Sequence, residues 1–110
     1  MVNLRLYMLQ RITALLMAPL VIGHLIVMIY AIQEGLSAAE ILGRTQGSVA
    51  WSLFYGTFVV AVAIHGAIGF RTILHEWGGV KGRSLELTMW AIGLILFILG
   101  TRAVWAVTFA

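Results

Sequence analysis

Charged residues are almost absent from three long stretches of this chain. Residues 12–32 and 45–70 contain none, and residues 87–110 contain only Arg102. Each stretch has about 20 residues or more, which lets a helix cross a hydrocarbon core about 30 Å thick. Lipid offers the backbone no hydrogen-bond partners, and the alternation of a β-barrel strand is missing, so helices are expected. The pattern predicts three transmembrane helices, at about residues 6–32, 48–75 and 86–108.

The composition leaves little material for a soluble domain. The 110 residues are 62% hydrophobic and 10% charged, with a mean hydropathy of +1.03, whereas soluble domains carry about a quarter charged residues. We therefore expect residues 1–110 to form a single all-α integral membrane domain. The first apolar stretch is longer than the core of a signal peptide, which favours a retained helix. Because cysteine is absent, disulfides, thiolate-bound iron–sulfur clusters and covalently attached haem are excluded from this chain.

The positive charges predict how the chain crosses the membrane. Five basic residues fall at the N-terminus and around the second loop, namely Arg5, Arg11, Arg71, Lys81 and Arg83. The opposite side holds only Arg44 and Arg102. The positive-inside rule then places the N-terminus in the cytoplasm of a multi-pass protein, which we expect in the inner (cytoplasmic) membrane of a bacterium. This topology accounts for the net charge of +3, so the charge does not indicate nucleic-acid binding.

Two histidines lie inside the predicted helices, where an ionisable side chain indicates a functional site by default. His65 is about ten residues, or about 15 Å, from the cytoplasmic end of the second helix and so near mid-bilayer. A neutral imidazole there is either an axial ligand of haem iron or a partner of a neighbouring helix. Gly66 and Gly69 leave room for either. His24 lies nearer the outer surface among apolar neighbours, which favours packing.

Polar residues also gather at the cytoplasmic ends of the first two helices. They are Gln10, Arg11, Thr13, Arg71, His75, Glu76 and Trp77. Taken singly, an interfacial Trp and a snorkelling Arg are ordinary membrane anchors. Together, we expect these groups to form a pocket of hydrogen-bond donors with a proton source in His75 or Glu76, which would suit a lipid-soluble quinone.

Two short patterns resemble a known family. Residues 10–14, Gln-Arg-Ile-Thr-Ala, are similar to the family's His-Arg-x-Ser/Thr-Gly. Residues 65–71, His-Gly-Ala-Ile-Gly-Phe-Arg, followed by Glu-Trp at 76–77, are similar to its His-x3-Gly-x-Arg and terminal Asp-Tyr or Asp-Phe. The family is the cytochrome b membrane anchors of succinate dehydrogenases and fumarate reductases (complex II), which agrees with the length, helix count and orientation. The chain departs from the family pattern at Tyr7, Gln10, Ala14 and Trp77.

The resemblance implies a subunit of a respiratory enzyme of the tricarboxylic acid cycle. Such an anchor packs with a second membrane-anchor subunit into a larger bundle and holds the iron–sulfur and flavoprotein subunits at the cytoplasmic face. Electrons from the iron–sulfur subunit then reach a quinone at the rim of the bundle. We expect no catalytic activity from the chain alone, because it carries no flavin or dinucleotide fingerprint.

The resemblance also implies roles for individual residues. His65 would be an axial ligand of the iron of a b-type haem, with the second ligand supplied by the partner anchor. Arg11 would line the quinone site or face a haem propionate, and Arg71, Glu76 and Trp77 would form the rim of the quinone site. We expect one haem. A second haem, as in two-haem members of the family, would take His24 as a ligand.

Three alternatives stay open on the sequence. The first is an anchor of the same family without haem, in which His65 only packs against another helix. The second is a cytochrome b subunit of another respiratory dehydrogenase, although such subunits usually have more helices and histidines. The third is a small structural or assembly protein of the membrane, in which His65 is replaceable without loss of electron transfer.

Overall fold

Four α-helices make up most of the computed structural model, which describes residues 4–109 apart from the side chain of residue 38. In chain order they are α1 (Leu4–Glu34), α2 (Ala38–Thr45), α3 (Val49–Glu76) and α4 (Gly82–Thr108). Three of them, α1, α3 and α4, are long and apolar enough to cross a membrane, which confirms the three predicted helices. The longest dimension is 47 Å, close to the thickness of a bilayer with its headgroups, about 40–45 Å.

The middle long helix, α3, holds the other two. It packs against both α1 and α4, whereas α1 and α4 barely touch each other. Buried side chains are accordingly concentrated on α3 and are mostly small, comprising Ala61, Ala63, Ala67, Ile68 and Arg71. We call the end where α1 begins and α3 ends the inner end, and the opposite end the outer end.

Small residues set the close approach of α3 and α4. Lipid removes the hydrophobic driving force for helix association, so van der Waals packing between close backbones has to stabilise the contact. A Cβ added at Gly100 would lie 2.6 Å from Cγ1 of Val59, and one added at Gly66 would lie 2.9 Å from Cδ1 of Leu96. Glycine at these two positions therefore lets the neighbouring helix come nearer than alanine would.

The short helix α2 was not predicted and lies in what the sequence suggested was a loop. Its signal is a local one, since Ser37 is followed three residues later by Glu40, the spacing of a capping box. In the structure the Ser37 hydroxyl accepts the Glu40 backbone N–H at 3.2 Å. The helix has only eight residues, so it lacks the run of about 20 apolar residues by which the three long helices were predicted.

Helix α2 closes the outer end of the bundle. The Thr45 hydroxyl donates to the carbonyl oxygen of Val107, and the backbone N–H of Gly47 donates to the carbonyl oxygen of Thr108 at 2.7 Å. Two carbonyl groups at the C-terminal end of α4 thus find donors, one at the end of α2 and one in the α2–α3 connection. Thr108 is completely buried by this contact.

Glycine 100 offers a direct test of the α3–α4 packing. Gly100→Ala should lower the thermal stability of the protein in detergent, because Val59 is β-branched, stiff, and unable to move away from the new methyl group. The expected cost is about 1–3 kcal/mol. Gly56→Ala on α3 is the matched control, since a Cβ there meets nothing within 4 Å. Equal thermal stability of the two variants would contradict the close packing at Gly100.

Candidate functional site

The contact between α1 and α3 centres on a threonine and a histidine. The Oγ1 atom of Thr13 lies 3.2 Å from Nδ1 of His65. Thr13 is buried and His65 is half-buried. Eleven residues separate His65 from the last residue of α3, which places the imidazole about 16 Å from the inner end and near the middle of the helix.

The hydrogen bonds of Thr13 select the tautomer of His65. A threonine hydroxyl has one proton to donate, and Oγ1 of Thr13 donates it to the backbone carbonyl oxygen of Leu9 at 2.7 Å. The hydroxyl therefore accepts from His65, so Nδ1 carries the proton and Nε2 keeps its lone pair. Among the described residues Nε2 has no hydrogen-bond partner. Metal-ligating histidines are commonly fixed in this way, through a bond from the nitrogen that does not bind the metal.

The two glycines beside His65 serve packing within this chain. Gly66 faces Leu96 of α4, and the amide nitrogen of the Gln10 side chain lies 3.5 Å from the position of a Cβ on Gly69. Of the two uses that the sequence left open for these glycines, the structure favours the close approach of neighbouring helices. Residues 4–109 contain no cluster of three or more residues that could hold a metal ion by itself.

His24 occupies a separate position, eleven residues further along α1 than Thr13. Its ring makes edge contacts with the rings of Phe58 and Tyr55, with centroid distances of 5.4 Å and 6.2 Å. A cleft of about 320 Å³ opens beside it on the outer half of the bundle, between α3 and α4, and Thr45 also lines this cleft. His24 and His65 therefore lie at two different depths and do not share a site in this chain.

Arg71 is the most buried charged residue that the structure describes, and it is paired. Its Nε and Nη2 atoms donate to Oε1 of Glu86 on α4, at 2.9 Å and 2.7 Å. Arg71 is 8% exposed, and its remaining nitrogen, Nη1, is buried with no hydrogen-bond partner among the described residues. The ion pair ties the end of α3 to the beginning of α4 close to the inner end.

The other residues predicted for a site at the inner rim are exposed. Arg11 follows Tyr7 by one helical turn, and its guanidinium carbon lies 5.9 Å from the centre of the Tyr7 ring. Because residues two apart on a helix differ by about 200°, Arg11 points away from the face on which Thr13 meets His65. Glu76 and Trp77 are exposed at the end of α3. Arg11 and His65 therefore do not meet within one chain.

Sequence reasoning missed one member of this region, Glu86. The third span was predicted to begin at residue 86, but α4 begins at Gly82, so Glu86 is in the helix rather than at its edge. The available signal was charge. Glu86 is the only acidic residue after Glu76 in the sequence, and a buried arginine in a membrane requires such a partner.

Comparison with known proteins identifies a family for this chain. The family described as succinate dehydrogenase/fumarate reductase transmembrane subunit matches residues 2–103. No curated protein and no solved structure matches the chain significantly. Because the family match covers nearly the whole chain, the protein belongs to the succinate dehydrogenase/fumarate reductase transmembrane subunits, the membrane-anchoring part of a multisubunit enzyme complex.

Proposed function

We propose that this anchor subunit binds a single b-type haem through Nε2 of His65. The observation that carries the proposal is the contact between Thr13 and His65, in which Nδ1 donates and Nε2 is left with its lone pair. Neutral imidazole with a free lone pair is the form that ligates haem iron. The residues present therefore fit one axial position of a haem, which would supply a one-electron carrier within the membrane when bound.

The second axial ligand would come from a second anchor subunit. The other two histidines, His24 and His75, are eleven residues from the level of Thr13 and ten residues from His65 along their helices, too far to reach the same iron. His65 is half-buried, and the partner would pack against the part of its imidazole that Thr13 leaves exposed. This chain contributes the orientation of His65, and Thr13 together with the Leu9 carbonyl fixes it.

We further propose that the inner end contributes to a quinone site. Arg11 is an exposed hydrogen-bond donor on the face of α1 that points away from α3, and Glu76 and Trp77 are exposed at the end of α3. Arg71 lies about one and a half turns before them and holds α3 to α4 through Glu86. A quinone carbonyl would accept from Arg11 or the Trp77 indole N–H, and Glu76 would supply a proton. The site is completed by other subunits, because these side chains do not converge in one chain.

The orientation follows from the charge distribution. With the N-terminus and the α3–α4 loop in the bacterial cytoplasm, the inner end faces the iron–sulfur and flavoprotein subunits. Electrons would then arrive at the end of the bundle that carries Arg11, Glu76 and Trp77. The phospholipid bilayer surrounds the outward faces of α1 and α4, which carry most of the exposed apolar side chains.

A second haem at His24 is the alternative that has specific structural support. The cleft of about 320 Å³ beside His24 is lined mainly by small and apolar residues, with Thr45 and Tyr55 as polar groups. Its position on the outer half of the bundle would extend electron transfer across the membrane. An anchor without haem would instead leave both histidines as packing residues.

The number of haems per flavin distinguishes these readings. We expect the detergent-purified complex to contain about one haem b per flavin in a pyridine haemochrome assay. His65→Ala should remove it while the apolar helices still insert, and His24→Ala should leave it unchanged. A ratio of about two that falls by half in His24→Ala would instead support the second haem. Full haem content in His65→Ala would contradict the assignment of the ligand.

Thr13 provides a test of the hydrogen bond behind the ligand. Thr13→Val keeps the shape of the side chain but removes the acceptor for Nδ1–H of His65, so haem affinity should fall by about 10–100-fold. Thr13→Ser, which retains a hydroxyl, is the control and should bind haem like the parent protein. The measurement is haem titration of the depleted complex followed by its absorption spectrum. Equal affinities of Thr13→Val and Thr13→Ser would show that the bond does not orient the ligand.

Arg11 tests the quinone site. Arg11→Ala should lower succinate:quinone activity by about tenfold or more, the loss typical of one hydrogen bond to a charged group, while succinate oxidation with a soluble artificial acceptor is retained. Arg102→Ala removes the same charge at the outer end of α4 and should leave both activities unchanged. An equal loss of both activities in Arg11→Ala would indicate defective assembly and refute a direct role in quinone binding.

A further inference from the structure

An apolar groove runs along α3 on the side where α1 and α4 fail to meet. Its volume is about 390 Å³, and every side chain that lines it is apolar, including Leu9 on α1, Ile64 and Ile68 on α3, and Trp90 and Leu94 on α4. From Val60 to Ile68 the floor of the groove extends over eight residues, or about 12 Å along the helix. In a membrane, such a groove fits a linear hydrocarbon chain.

Each of the three long helices carries an arginine on the groove side, just beyond the inner end of this lining. Arg5 is one helical turn before Leu9, and Arg71 is one turn after Ala67. Arg83 is seven residues, two turns, before Trp90 on the same face of α4. The antiparallel pairing of Thr13 with His65 and of Arg71 with Glu86 puts these arginines at similar heights. These three arginines therefore lie at the inner end of the groove, and we call them its basic mouth.

The positive charges at this mouth favour the binding of an anion. Glu86 forms an ion pair with Arg71, whereas neither Arg5 nor Arg83 forms an ion pair within residues 4–109, and Nη1 of Arg71 is a buried donor with no acceptor among these residues. Helix α4 also begins there, with Lys81 as its N-cap residue and no side-chain cap bond or acidic residue in its first turn. The positive end of a helix dipole disfavours cations and favours a negative group.

We propose that the groove binds an anionic phospholipid, with one acyl chain along α3 and the phosphate at the arginines of the mouth. A basic pocket between transmembrane helices at the cytoplasmic surface is the kind of site that selects acidic headgroups. An uncharged isoprenoid chain would fill the apolar lining equally well but would leave the mouth uncompensated. Arg71 is shared with the proposed quinone rim, whereas Arg5 and Arg83 have no part in the proposed haem and quinone sites. Variants at Arg5 and Arg83 therefore separate the lipid site from those sites.

The test is photo-labelling of the purified complex in phosphatidylethanolamine vesicles. The probe is phosphatidylglycerol with a diazirine in one acyl chain, compared with phosphatidylcholine that carries the same chain. We expect the anionic probe to label the groove face of α4 around Leu94 more strongly, by about fivefold for each uncompensated arginine. The preference should weaken in high salt, because salt screens exposed charges.

Matched variants separate the mouth from the lining. The double variant Arg5→Gln/Arg83→Gln should abolish the preference for the anionic probe, whereas Arg102→Gln removes an equally exposed charge from the far end of α4 and should preserve it. Leu94→Trp should reduce labelling by both probes. Leu99→Trp should not, because Leu99 is as exposed as Leu94, at 58% against 59%, but lies outside the groove.

Three results would overturn the proposal. Equal labelling by both probes at low salt would show an apolar groove without headgroup selection. Displacement of the probe by a quinone, but not by phosphatidylglycerol, would assign the groove to an isoprenoid chain. Labelling that falls on a partner subunit would show that a protein covers the groove. The salt dependence of the unmodified complex keeps the test decisive if the double variant fails to assemble.

Discussion

The whole structure depends on one constraint, which is that polar groups carried into the membrane must find partners inside the protein. Thr13, Thr72 and Thr108 obey it locally, each by donating to a carbonyl one turn earlier in its own helix. The charged pair obeys it across helices, with Arg71 bound to Glu86. His65 obeys it by donating to Thr13. The last two of these interactions also join two helices, α3 to α4 and α1 to α3, so they contribute to packing as well as satisfying polar groups.

Sequence alone was sufficient for the parts of the fold that depend on length and polarity. Three uncharged stretches predicted the three long helices, because crossing lipid requires about 20 apolar residues whatever their order. The eight-residue helix α2 escaped this reasoning since its evidence is the capping pair Ser37 and Glu40, which is a local signal. The beginning of α4 was placed four residues late because the prediction followed the apolar stretch that begins at residue 87, whereas the first turn of the helix is polar.

The candidate site was predictable by residue type but not by arrangement. His65 was conspicuous as an ionisable group at mid-bilayer, whereas its tautomer depends on a hydroxyl 52 positions away in the chain. Arg71 was expected at a rim, and the structure places it between helices, since only a three-dimensional pairing reveals that Glu86 can reach it. Roles that require a second subunit depend on residues that lie outside this chain, so neither its sequence nor its structure contains them.

The arrangement of α1 and α4 on opposite sides of α3 has a consequence for biosynthesis. Among the three long helices, the main contacts join α1 to α3 and α3 to α4, so each can form as soon as the later helix enters the bilayer, without rearranging the earlier one. The hairpin of α1 and α3 already contains Thr13 and His65. The Thr13–His65 hydrogen bond involves only α1 and α3, so it can form before α4 enters the bilayer.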